Sequence, residues 1–397
     1  MTPVRIADVE VKDSDSNELF GCRTVKVQVH GSKSFTTPSK PITHKELLNK
    51  AETPEYRGVL PGHVVIIPEY IKGSIFEEYR NCNGRLKKIY GEVSLYSESS
   101  SFLINVPNLL TERINPRAPE AMATLKKQLE IPTLSAICLP LLDTDYEGFV
   151  QSFNAWKEQA ERYGKGIVPQ ISMNEDINLF RKKLDFIKNK CDSGELFMID
   201  FIYANPSDYT LQYSELWSRN KELNAILNLT NVPNSLNGIN GYMKSIPRYD
   251  LLMYGFDMIT PMRGRPTRYP NGKGPFDLLD VQKYSWSNYG IEANIDGRYW
   301  EAMDHDHTVC DCPICRGKSQ TQIMDKYAYN VEGEITDSSF MKRISILHDH
   351  LSSITELRNL SNAIKDQELS EYCDGIQTKR KDFETSVKIG NVREYPR

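Results

Sequence analysis

No apolar run in this 397-residue chain approaches the roughly 18 residues that a membrane-spanning helix needs, and its first residues carry no signal-peptide pattern. There is no global basic excess either. The formal net charge is −4, so any contact with a polyanion has to come from a local patch. Low-complexity segments and internal repeats are absent, and no G-x-G-x-x-G follows an early strand, which weighs against a dinucleotide-binding fold. Cysteine is sparse at eight, and Cys22, Cys82, Cys138, Cys191 and Cys373 are scattered without a pairing pattern. These absences exclude a disulfide-built secreted scaffold and a membrane partner. They lead us to expect a soluble protein of the cytoplasm, or of the host cytoplasm if phage-encoded.

The other three cysteines are concentrated in one place. They read Cys310-Asp-Cys312-Pro-Ile-Cys315, and a helical-looking segment then leads to His348-Asp-His350. Three thiols and one imidazole fill a tetrahedral zinc site with no position left for water, so the expected zinc is structural rather than catalytic. Spacing alone does not choose between His348 and His350 as fourth ligand, and His305 and His307 also lie close by.

The middle of the chain alternates short apolar runs with helical patterns, at roughly 25–35-residue spacing. PTLSAICLPLL (132–142) precedes an amphipathic stretch over 146–163, and GIVPQISM (166–173) precedes one over 176–191. LFMIDFIY (196–203) precedes one over 213–223; NAILNLT (224–230) and LLMYGFDMITP (251–261) follow. Successive units of this kind predict an α/β fold with parallel strands, either a (β/α)8 barrel of the TIM type or an open doubly wound sheet. The first 90 residues are richer in β and turn signals and suggest a cap packed on the barrel. The expected division is a β-rich part at 1–90, a catalytic barrel at 91–300, and a zinc-binding subdomain with closing helices at 301–397.

Polar residues inside or beside apolar runs are the candidate chemistry. Glu98 sits in a small-residue turn, Leu95-Tyr-Ser-Glu-Ser-Ser-Ser-Phe102. Gln170, Asp200 and Asp257 lie within apolar runs, where a polar group is costly unless it is paired or used. The bland alternatives are a solvated loop acid for Glu98, a satisfied core amide for Gln170 and a structural ion pair for Asp257. A basic, glycine-rich loop follows, with Arg263, Arg265, Arg268 and Lys273 within eleven residues; it suits a nucleic-acid phosphate backbone.

Together these features resemble the tRNA-guanine transglycosylase superfamily, most of all its DNA-modifying, DpdA-like branch. The zinc motif matches Cys310, Cys312, Cys315 and His348, and the residues from Glu356 to Ile364 after it favour His348 over His350. The D-S-G-G-F turn of the family resembles Glu98-Ser99-Ser100-Ser101-Phe102, its G-I-V-Q-G strand resembles Gly166–Gln170, and its early T-P resembles Thr37-Pro38. The G-x-D-x-F-D strand resembles Gly255–Thr260, with Thr260 in the place of the nucleophilic acid and Asp257 in that of the other acid. The resemblance implies exchange of guanine in nucleic acid for a 7-deazaguanine base such as 7-cyano-7-deazaguanine, through a covalent glycosyl–enzyme intermediate. Asp257 would be the nucleophile, with Asp200 in reserve, and Glu98 the general acid/base. Phe102 would stack on the base, while Ser99, Asp143, Gln170 and Asp200 would contact it. DNA is favoured over tRNA because the archaeal tRNA enzymes carry further C-terminal domains, whereas this chain ends soon after Ile364. A homodimer is compatible with the resemblance. The reading from another class is a non-catalytic nucleic-acid-binding subunit, which Thr260 in the nucleophile's place would suit.

Overall fold

The structure is a computed structural model that describes residues 4–15, 20–31, 34–43, 64–71, 104–111, 113–117, 119–206, 208–232, 236–237, 244–245, 251–261, 276–280, 285–289, 312, 314–318, 322 and 338–382. Three N-terminal strands, β1 (Ala7–Ser14), β2 (Arg23–Val29) and β3 (Ser34–Thr36), form an antiparallel sheet. A parallel set begins immediately afterwards. β4 (Ile42–Thr43) pairs with β5 (Val64–Ile71), which pairs with β6 (Ile104–Thr111). Five further strands, all parallel, follow with helices between them. They are β7 (Ala136–Leu139), β8 (Gly166–Ser172), β9 (Met198–Ile202), β10 (Ile226–Val232) and, after two-residue strands β11 (Leu236–Asn237) and β12 (Lys244–Ser245), β13 (Met258–Pro261). β14 (Phe276–Asp280) and β15 (Ser285–Tyr289) join β11 and β12 in a small antiparallel sheet.

The expected helix periodicity is realised as α1 (Pro119–Leu129), α2 (Tyr146–Arg162), α3 (Ile177–Asp192) and α4 (Thr210–Arg219), with α5 (Ser338–Lys365) and α6 (Leu369–Asp382) near the end. Among the described residues, two helices start on aspartates. Asp145 accepts from Gly148 N at 2.9 Å, and Asp176 accepts from Asn178 N and Leu179 N at 2.9 and 3.1 Å. Each such cap contributes about 1 kcal/mol by satisfying amide groups that the first turn leaves open. Among the described residues, no helix is long and apolar enough to cross a membrane.

Side chains alternate along each parallel strand, and the two faces have different partners. Ile137, Leu139, Ile167, Ile171, Ile199, Phe201, Leu227, Leu229 and Ile259 pack outward against helix residues such as Phe149, Phe153, Phe180, Leu184 and Leu216. Ala136, Val168, Met198, Ile226 and Met258 face the other way. They share one apolar cluster with Val64 and Ile66 of β5, Ile104 and Val106 of β6, and Val25, Val27 and Phe35 of the N-terminal sheet. That cluster sits at the N-terminal ends of the parallel strands, so the antiparallel sheet closes that end. Two contacts link the two parallel groups. Ile114 and Leu142, just beyond β6 and β7, form a parallel bridge, and Ser39 N donates to Asp257 O at 3.1 Å, linking the residues that lead into β4 and β13.

Within residues 1–90, where one β-rich part is expected, the described strands divide: β1–β3 are antiparallel, whereas β4 and β5 pair in parallel, β5 also with β6. The run 251–261 also divides. Leu251 and Leu252 end in a turn, Gly255 takes a left-handed φ of 103° beside the Asn220 side chain, and the strand starts only at Met258.

Candidate functional site: a buried polar layer and a cysteine–histidine cluster

Above the apolar cluster, toward the C-terminal ends of the strands, the next inward positions are polar. Gln170 pairs in register with Asp200, and Asp200 with Asn228, so the three side chains share the inner face. Gln170 Nε2 donates to Asp200 Oδ2 at 2.8 Å, and Asn228 Nδ2 donates to Asp200 Oδ1 at 2.7 Å. Thr260 of β13 extends the layer, its hydroxyl donating to Asn228 Oδ1 at 3.1 Å. All four residues are buried. Burial pushes the Asp200 carboxyl up to about 7, against the opposing pull of the Gln170 and Asn228 hydrogen bonds. A carboxyl that titrates near neutrality, with both oxygens fixed by amides, is suited to binding or reacting with a ligand at the strand ends.

Asp257 has a different environment. It stands just before β13, at the end closed by the N-terminal sheet, and is fully buried. Arg23 of β2 grips it with two bonds, Nε to Oδ1 at 3.2 Å and Nη2 to Oδ2 at 2.6 Å. Thr37 Oγ1 donates to Oδ1 at 3.1 Å and Leu227 N to Oδ2 at 2.7 Å. The same guanidinium donates to the carbonyls of Asn220, Leu223 and Ala225. With four hydrogen bonds on its carboxylate, and the polar layer one step away toward the other end, Asp257 is a structural anchor. The carboxylate expected as the nucleophile is thus fully engaged by Arg23, Thr37 and Leu227. Among the described residues its ion pair is with Arg23.

The remaining expected residues fall in three groups. Asp143, just past β7, is exposed, and its backbone N donates to Ile114 O at 2.8 Å; the structure does not bring it into the layer of Gln170 and Asp200. Glu98, Ser99, Phe102, Arg263, Arg265, Arg268, Lys273, Cys310, His305 and His307 lie outside the described residues. Cys312, Cys315 and His348 come together, with one ligand atom from each all within 4.8 Å of one another and all three residues buried. Cys312 Sγ is 3.4 Å and Cys315 Sγ 3.1 Å from His348 Nδ1. Sulfur–nitrogen separations of this size are what two thiolates and an imidazole adopt around one small ion.

The local sequence explains the cluster. After Cys315 the chain turns through Arg316 and Gly317, with φ of 48° and 69°, so that Arg316 N donates to Cys312 O at 2.8 Å and Lys318 N to Cys315 O at 3.0 Å. The turn points both thiols the same way, toward His348 on α5. His350, also buried on that helix, is not in the cluster.

Asn228 and Arg23 were not singled out from sequence, although Asn228 gave the same signal as Gln170 and Asp200: a polar residue inside an apolar run, here ILNLTNV. No family model matches this chain, and no curated protein matches it. Solved structures that match include two single-site mutants of the tryptophan synthase alpha-subunit from Pyrococcus furiosus. They are 14% and 12% identical, both with a TM-score of 0.35, and each alignment covers 57% of this chain and 87% of that one. A protein from Aquifex aeolicus VF5 matches at 7% identity and a TM-score of 0.34, covering 56% of this chain and 80% of its own. Likeness at this level bears on neither the fold nor the chemistry of the site.

Proposed function

We propose that the chain is a glycosyltransferase that exchanges guanine in DNA for a 7-deazaguanine base, on a (β/α)8 barrel whose eight parallel strands close into one ring. The ring is supported by the Ile114–Leu142 bridge, by the Ser39–Asp257 hydrogen bond, and by inner-face residues of β5–β10 and β13 meeting in one cluster. The observation that carries the chemistry is Asp200, a carboxyl on the inner face, toward the C-terminal strand ends where barrel enzymes react, and pushed up to about 7 by burial. With Asp257 occupied by Arg23, Asp200 is the nucleophile.

In this reaction the Asp200 carboxylate attacks C1′ of a flipped-out guanosine residue. The C1′–N9 bond breaks, its electron pair leaves on guanine N9, and an acid protonates the departing base; the resemblance assigns that acid to Glu98. The arriving 7-deazaguanine, deprotonated at N9 by the same group, then attacks C1′ and releases Asp200. This is a retaining double displacement with a heterocycle in place of water. The Arg263–Lys273 loop would hold the phosphate backbone. Neutralising two of its four cations should lower the salt-dependence slope of binding by roughly one per lost contact. An unchanged slope takes the loop out of the interface.

The cluster of Cys312, Cys315 and His348 would hold a structural zinc, for which the resemblance assigns Cys310 as the fourth ligand. Purified protein should carry one equivalent of zinc by elemental analysis, and Cys312→Ser should lower its melting temperature by several degrees, because metal-site binding energy is folding energy. Less than half an equivalent, or an unchanged melting temperature, contradicts this assignment.

Incubating the protein with labelled guanine and either duplex DNA or tRNA tests the reaction itself. The expected result is label entering DNA, with loss of incorporation in Asp200→Ala. Label entering only tRNA would move the activity to the tRNA branch. Incorporation into neither, by folded and zinc-loaded protein, would leave a non-catalytic nucleic-acid-binding subunit, the reading that Thr260's neutral hydroxyl favours.

A further inference from the structure

The polar layer has a direction that fixes the part played by Thr260 and Asn228. An ionised Asp200 accepts only, so Asn228 must turn its Nδ2 toward Asp200 Oδ1, at 2.7 Å. That orientation sends Asn228 Oδ1 to the other side, toward β13, into a buried position where an acceptor needs a donor. Thr260 supplies it, its hydroxyl donating to Asn228 Oδ1 at 3.1 Å. The sense of the chain is therefore Thr260 to Asn228 to Asp200, with Gln170 donating to the other carboxylate oxygen from β8.

We infer that Thr260 and Asn228 are positioning residues, a one-way hydrogen-bond relay that fixes the orientation and protonation of Asp200 and keeps β9 and β13 to one carboxylate between them. The inference rests on reading Asp200 as the reacting group. It also accounts for the residue at 260. An aspartate there would face Asn228 Oδ1 with another acceptor. The amide would then rotate, turn its carbonyl toward Asp200, and set two acceptors against each other on a buried carboxylate. A hydroxyl that can donate avoids this, so a carboxylate on β9 and a threonine on β13 form a consistent pair. A carboxylate on both strands does not.

Among the described residues, Gln170 and Asn228 bond Asp200, and Ser172, Thr230 and Thr260, all neutral, share the same face of β8, β10 and β13, with the Cys138 thiol on that face of β7. A change in Asp200 titration after substitution at Thr260 thus reads the relay rather than a new charge. Thr260→Val removes the donor at nearly constant volume, so the Asn228 amide loses its pin and its bond to the carboxylate weakens. Partial loss of that bond should raise the Asp200 midpoint by about half a pH unit. Thr260→Ser keeps the hydroxyl and should restore the wild-type midpoint.

The experiment is carbon-13 NMR titration of aspartate-labelled, zinc-loaded protein, with the Asp200 side-chain carboxyl resonance assigned by its absence in Asp200→Asn. The expected result is a higher midpoint in Thr260→Val and a wild-type midpoint in Thr260→Ser. If the valine variant does not fold, Thr260→Ala reads the same bond. A valine or alanine variant titrating with the wild type, or a serine variant titrating with valine, overturns the relay. Because the readout needs no substrate, a relay that behaves as expected in a protein that exchanges no base would refute the proposed reaction and leave the relay standing. The converse result would do the opposite.

Discussion

Replacing Asp257 with alanine should cost the protein its fold before it costs any chemistry. The variant leaves the Arg23 guanidinium buried without its counter-ion, and it leaves Thr37 Oγ1 and Leu227 N without their acceptor. Removing one partner of a buried ion pair costs about 3–5 kcal/mol, because the remaining charge stays desolvated. Arg23→Ala should cost a similar amount, since Asp257 stays buried without its counter-ion and the Ala225 carbonyl loses its Arg23 donor as well. The two losses should not add, because both single variants break the same contact; a double variant should fall short of their sum by more than about 1 kcal/mol. Urea unfolding followed by circular dichroism measures all three. An Asp257→Ala protein with wild-type stability that had lost only base exchange would return Asp257 to the role of nucleophile.

Asp200 should behave in the opposite way. Asp200→Ala should abolish exchange, by at least about 10³-fold, the scale on which removing a covalent nucleophile acts. Folding should survive, and Asp200→Asn should be no less stable than the wild type at pH 8. The sign follows from the carboxyl's own titration. Burial raises its folded value to about 7, above the unfolded one, so the folded state binds the proton more tightly. The group's stabilising contribution is complete below the unfolded value, around 4, and is lost as pH rises to about 7. Asparagine removes that dependence, with Gln170 able to flip its amide and offer an acceptor to the new NH2 group. Thermal melts at pH 5 and pH 8 should show the asparagine variant gaining on the wild type at the higher pH. The same titration predicts that exchange, which needs the ionised carboxylate, falls as pH drops below about 7. A variant that loses stability equally at both pH values would make Asp200 another structural anchor.

What could be read from the chain in advance depended on range. The cysteine–histidine cluster was legible because C-x-x-C and its turn are local, and only His348 had to be brought from a distance. The strands of the middle region were legible because each is a short apolar run between turns, with a helix after it. The surroundings of Asp257 were not legible because LLMYGFDMITP looks like one continuous strand. The break at Gly255 and the partner Arg23, 234 residues away, emerge only from the folded chain. The parallel pairing of β4 with β5 escaped for a related reason: the two residues of β4 carry no pattern, and a parallel partner leaves no sign in the nearby sequence. The polar layer was half legible. Gln170 and Asp200 were conspicuous in their own strands, but register alone reveals that they meet each other, and Asn228, on one face.

The account depends on Asp200 bonding to a sugar carbon, and that bond can be sought directly. Protein mixed with a guanine-containing DNA duplex, with no incoming base, should accumulate the glycosyl–enzyme intermediate. Denaturation should trap it, and proteolysis followed by mass spectrometry should locate it. The account predicts an adduct on the peptide carrying Asp200, absent in Asp200→Ala and lost on adding a 7-deazaguanine base. An adduct mapped to any other carboxylate, or one that persists in Asp200→Ala, would contradict it.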